Sequence, residues 1–168
     1  MILSMHLNLP NRLMTILTQR DYTNSKMVVK SAIQLISEYP QESQDLLILA
    51  SKHHDSETRR ELASLLQRIS SDDTQLALRL MEGLLQDEDS DTRVLATTFL
   101  SSLVRYDITT FTVKASEVLQ KGDERMTQRI VDASMREYLS MNPLDEDSLL
   151  SYAWISSGES SKSRLVGL

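Results

Sequence analysis

The chain has 168 residues, with 18 Lys and Arg against 24 Asp and Glu, a formal net charge of −6 and no cysteine. That length suffices for one domain with a sizeable core. Four glycines and three prolines are too few for the tight turns of a sandwich, a barrel or a doubly wound sheet. Without cysteine there is no disulfide scaffold, thiol nucleophile, iron–sulfur centre or cysteine zinc site. The longest apolar run, Leu46-Leu47-Ile48-Leu49-Ala50, falls far short of the ~18 residues of a membrane span. Met1-Ile2-Leu3-Ser4-Met5 has neither the basic start nor the small-residue cleavage site of a signal peptide. A soluble, cytoplasmic, all-α protein is therefore expected. Residues 1–84 carry nine bases and ten acids, and residues 85–168 carry nine and fourteen. Phosphate backbones and anionic membranes attract basic surfaces, so neither nucleic acid nor membrane is an expected partner.

Apolar residues at helical spacing predict paired helices along the whole chain. In chain order these lie near 10–19 and 23–38, 43–53 and 56–70, 74–86 and 90–105, 108–121 and 124–140. A last helix near 143–155 stands alone. Pro40 and Asn142-Pro143 punctuate boundaries, with Pro143 fitting a first helical position. Gly83 inside a helical stripe costs ~1 kcal/mol relative to Ala, and a close helix crossing would account for it. From residue 156 the chain is Ser-rich and polar, and reads as a flexible tail over 156–168. Tyr152 and Trp154 would close the last apolar layer. A lone last helix also fits a piece of a longer array.

The pairs repeat every 34 residues. Asp55-Ser56-Glu57-Thr58-Arg59 recurs as Asp89-Ser90-Asp91-Thr92-Arg93, and the same step reaches Asp21 and Asp123. Four apolar rows keep that phase: Leu13, Leu47, Met81, Ala115; Ile16, Ala50, Leu84, Val118; Val28, Leu62, Ala96, Ile130; Ala32, Leu66, Leu100, Ser134. Four helical hairpins follow, with the last helix as a cap, as one repeat domain over 1–155.

Leu84-Leu85-Gln86-Asp87-Glu88-Asp89-Ser90-Asp91-Thr92-Arg93-Val94-Leu95-Ala96 resembles a HEAT repeat, with paired leucines, an Asp opening the turn, an Arg six residues on and a small Ala three later. The second hairpin keeps Arg59 but has His53 at the Asp position; the fourth has Lys121 and Thr127, the first Gln19 and Ser25. Tetratricopeptide repeats share the length but not the pattern. The resemblance implies an α-α superhelix, with Asp87, Arg59 and Arg93 in a structural ladder between neighbouring hairpins. It also implies that second helices line a concave, partner-facing surface.

Little in the chain suggests catalysis. His6, His53 and His54 are the only histidines, and neighbours on a helix cannot share a metal without a spaced third ligand. Asp87-Glu88-Asp89-Asp91 lacks the Gly and bidentate Glu of a calcium loop and reads as acid favoured by a helix N-terminus. No serine elbow or phosphate loop is present. Met27, Met81, Met126 and Met135 fall on or beside core stripes. Neither cofactor nor metal is expected. Positions five, nine and thirteen after each repeat Asp gather Lys26, Lys30, Arg60, Arg68 and Arg136 with one acid, Asp132. These five bases point to a mildly basic face for an acidic segment of another protein. A non-enzymatic, protein-binding adaptor or assembly subunit is the leading reading; a nucleic-acid-binding repair protein and a HEAT-like lyase are the alternatives.

Overall fold

The computed structural model describes residues 9–18, 24–145 and 148–168. His6, Gln19, Asp21 and the start of a second helix at 23 lie outside them. The described residues hold helices and no strand. They divide into two compact units, Met1–Thr92 and Arg93–Leu168, the division falling within one helix, Ser90–Ser102.

The first unit holds α1 (Leu9–Thr18), α2 (Ser25–Gln34), α3 (Pro40–Ser51), α4 (Ser56–Ser64), α5 (Leu66–Asp72) and α6 (Thr74–Leu84). Pro40 is the first residue of α3, where its missing N–H would have had no intrahelical partner. The predicted second helix over 56–70 is broken at Leu65, whose N–H turns back to the Leu62 carbonyl at 3.0 Å. Leu66 and Ile69 nevertheless stay buried on the same stripe. Packing is sequential: α1 meets α2 and α3, α3 meets α4 and α6, and α2 meets α4.

The second unit contains most of α7 (Ser90–Ser102), a tight turn at Leu103–Arg105, α8 (Ile108–Lys121) and α9 (Glu124–Ile130). A π-helical stretch, Val131–Met135, leads into α10 (Arg136–Met141); α11 (Leu149–Ser156) and α12 (Glu159–Val166) close the chain. Gly122 ends α8 at φ 72°, the left-handed region that a Cβ disfavours. α11 packs on both α8 and α9, and α12 packs on the π-helical stretch and on α11.

The 34-residue phase is the phase of the core. Every residue of the four rows is buried except half-buried Ile16, and Ser134 lies among them with its hydroxyl donating to the Ile130 carbonyl at 2.8 Å. The step also continues further than expected. Leu149 extends the row of Leu13, Leu47, Met81 and Ala115 and is fully buried, which makes α11 the first helix of a fifth hairpin. Ser157 falls on the repeat Asp position, and α12 follows it. The segment read as a flexible tail thus holds a second helix, with Ser161 and Leu165 buried.

Other expectations change. Asn142-Pro143 does not begin a helix. The Asp145 N–H donates to the Asn142 carbonyl at 3.1 Å, closing a turn with Pro143 where a turn favours it, and α11 starts only at Leu149. With that start, Leu149 and Ala153 face inward, one helical turn apart, while Trp154 is 45% exposed and Tyr152 half-buried. Met27 is exposed, whereas Met81, Met126 and Met135 are buried. Gly83 meets no crossing helix: a Cβ there would find nothing within 4 Å.

Two stability measurements follow. Gly83→Ala should gain about 0.5–1 kcal/mol in chemical denaturation, because it removes backbone entropy at an open position; a loss would reveal a packed neighbour. Phe99 is 4% exposed on α7, so Phe99→Ala should cost ~3–5 kcal/mol. An unchanged denaturation midpoint would place that ring in solvent.

Candidate functional site

Repeated Asp residues begin the helices. The Asp55 carboxylate accepts the Glu57 and Thr58 N–H groups at 3.3 and 3.1 Å and the Thr58 hydroxyl at 2.8 Å. Asp89 accepts both the N–H and the hydroxyl of Thr92 at 2.8 Å. Asp123 accepts from Arg125 and Met126, Asp73 from Leu76, and Asp107 from Thr110. The Asp-Ser-Glu/Asp-Thr-Arg repeat is thus an N-cap whose third helical residue adds a hydroxyl.

The Arg after each cap reaches from its own turn to the acid of the next. In the first unit Arg59 donates to both Asp87 oxygens at 2.7 and 3.0 Å, to Glu88 at 3.2 Å, and to the His53 and His54 carbonyls at 2.6 and 3.1 Å. All five of its N–H donors are engaged, and both Arg59 and Asp87 side chains are 7% exposed. The hydrogen bonds it donates to Asp87 hold the Arg59 guanidinium above its ordinary pKa against the opposing effect of burial. His53 is buried beside this arrangement, its Nδ1 accepting the Asp55 N–H at 3.2 Å. It is a packed residue of this turn. In the second unit Lys121 occupies the position of Asp87, and Arg93 turns to the cap itself, Asp123, at 2.9 Å. Thr127, where the next Arg would stand, is buried.

The five nominated bases fare differently. Lys26 pairs with Glu57 at 2.8 Å and Lys30 with Glu61 at 3.2 Å. Arg60 grips both oxygens of Asp89, at 2.8 and 2.6 Å, and also reaches Glu57 at 2.7 Å. Glu57 thereby joins Lys26 to Arg60. Three of the five are occupied by acids of the first unit. Sequence reading missed those acids because the grid followed one helix face and not the neighbouring second helix. The signal was present: Glu57 and Glu61 each follow their Lys by 31 residues.

Arg68 and Arg136 are exposed and have no ion partner among the described residues. Arg136 lies in the second unit on the rim of a cavity of about 610 Å³, with Asp132, Ser163 and Arg164. Arg164 is paired there with Asp132. The backbone beside it is the π-helical stretch, a feature frequent at functional sites. Among the described residues no group of three or more His, Cys, Asp or Glu could hold a metal ion. No described helix is long and apolar enough to cross a membrane.

Acid should dismantle the caps in two stages. Burial is the largest effect on His53 and pushes its pKa down, with the neighbouring His54 adding to it. The Arg60 hydrogen bond pulls Asp89 down most strongly, and hydrogen bonds from Thr110 lower Asp107. At Asp55 and Asp123 burial opposes ionisation, but the donated hydrogen bonds outweigh it. A group with a depressed folded pKa loses its contribution as pH falls below its unfolded value. Melting temperature should therefore decline gently below about 6.5 as His53 resists protonation, then steeply below about 4 as the caps titrate. His53→Gln should abolish the first stage only. A single transition centred above pH 5 would contradict the assignment.

No protein-family model, curated protein or solved structure matches the chain.

Proposed function

We propose that this chain is a non-enzymatic, protein-binding helical-repeat protein, its hairpins stacked as a HEAT-like α-α superhelix, that holds an acidic segment of another protein in the cytoplasm. The observation carrying this reading is the cleft at the π-helical stretch. Arg136 and Arg164 line it with one acidic side chain, Asp132, so two guanidinium groups converge there on a chain of net charge −6. Guanidinium groups suit carboxylates because their N–H donors pair with both oxygens. Among the described residues Arg136 has no ion partner to give up. Arg164 has one in Asp132, and an incoming carboxylate would compete for it. Lys26, Lys30 and Arg60 drop from the binding set, since recruiting them would break pairs that tie second helices together.

The test is fluorescence anisotropy of a labelled Glu- and Asp-rich peptide against the intact chain. Arg136→Glu should weaken binding at least tenfold while leaving the melting temperature within about a degree, because the side chain is exposed. Salt should weaken binding moderately, as for complementary protein surfaces. Unchanged peptide affinity in the variant removes the cleft from the reading. Tight wild-type binding to duplex DNA, falling by orders of magnitude between ~50 and ~200 mM salt, would replace it with a nucleic-acid role.

A further inference from the structure

The repeat supplies its own alignment, and the fifth hairpin departs from it on the outside. Thr18, Lys52, Gln86, Gln120 and Trp154 occupy one register position, and all five are exposed. Four are polar; the fifth is the only tryptophan of the chain. Relative to the hairpin before it, Ser116 becomes Leu150 and Lys121 becomes Ile155, and Ile155 is 77% exposed. A hairpin needs none of these changes for its core, because Leu149 and Ala153 already fill the inward face of α11. With Ser151 and Leu165, the three residues line an open cleft of about 480 Å³. α11 itself bears no charge. The charged group against the cleft is Lys162, whose Nζ lies 5.9 Å from the Trp154 ring centroid and is held only loosely by Glu159 at 3.6 Å.

We propose that this cleft is a second interaction surface, on the α11 side of the last hairpin, for an amphipathic helix of another protein with acidic residues beside its apolar stripe. The length of α11, eight residues or about 12 Å, matches two turns of such a helix, enough for apolar residues at i, i+3 or i+4, and i+7. Exposed Trp154 is the aromatic anchor typical of binding hot spots. The charge of Lys162 selects the acid, and a basic helix would meet repulsion there.

Two synthetic helical peptides test this, alike in a four-leucine stripe but carrying either Glu or Lys beside it. The receptor is the whole chain, and the readout is anisotropy of the labelled peptide. The Glu peptide should bind at least tenfold tighter than the Lys peptide. The variant Leu150→Ser/Trp154→Gln/Ile155→Lys, which restores the residues of the preceding hairpin, should keep the helical circular dichroism and lose at least tenfold in affinity. Lys162→Glu should reverse the preference. A Glu peptide that binds this triple variant as well as the wild type overturns the proposal. So does equal binding of both peptides, or self-association of the wild type, seen by sedimentation, that the triple variant abolishes. Binding of the wild type to anionic vesicles in place of the peptides also overturns it. Arg136→Glu lies outside the cleft, so a loss confined to that variant would favour the acidic-segment site and refute this one.

Discussion

One guanidinium organises the first unit. Arg59 is covalently part of the second hairpin, yet its acceptors come from two turns: the carbonyls that follow α3 and the carboxylates that precede α7. A buried charge is tolerable only when paired and hydrogen-bonded, and here every donor has an acceptor. Losing Asp87 would leave the buried cation with one exposed carboxylate, Glu88, and two carbonyls, at a cost of up to about 3–5 kcal/mol. The same carboxylate also accepts the Asp89 N–H at 2.8 Å. It thereby positions the next cap, which in turn grips Arg60. Helix initiation and the tie between successive turns are thus one network in this unit.

The second unit uses the same parts with fewer residues. Asp123 serves as both cap and arginine acceptor, because Lys121 stands where a separate acid would be. The resulting bridge is more exposed than that of Arg59. Successive second helices are then held by Arg105 to Glu137, Arg129 to the Thr98 hydroxyl, and Arg164 to Asp132. Asp87, Asp89, Asp107, Asp123, Asp132 and Glu137 are acids of residues 85–168 that serve caps or bridges.

What the sequence makes legible is what periodicity controls. Apolar rows place the core because buried positions recur at the 34-residue step, and helix positions follow within a few residues. Asp55 and Asp89 were visible as a repeat, but Asp73 and Asp107 also lie 34 residues apart and cap the first helices α6 and α8. They were overlooked because their flanking residues do not repeat. The fifth hairpin was hidden for a similar reason: Ser157 replaced the Asp, and Ser-rich composition masked the single buried Leu165. Gly83 misled in the other direction, since an exposed glycine near a helix end has no packing partner to explain. The pairing of Lys26, Lys30 and Arg60 was not legible, because charge counted along one helix says nothing about the acids on the next.

Such pairing also bears on how the surface of a chain with a 34-residue sequence period should be read. A charge that recurs with the period is under suspicion of serving the period, as Lys26 and Arg60 do through Glu57 and Asp89. A residue that breaks the period at a solvent-facing position has no such duty. Trp154 replaces four exposed polar residues without adding to the core, and water penalises the exchange, because apolar area left exposed gains nothing from folding. An exposed tryptophan inside an apolar cleft is stabilised only when something covers it. The strongest functional signal in this chain is therefore not its most regular residues but the places where α11 abandons the pattern that the preceding hairpins share.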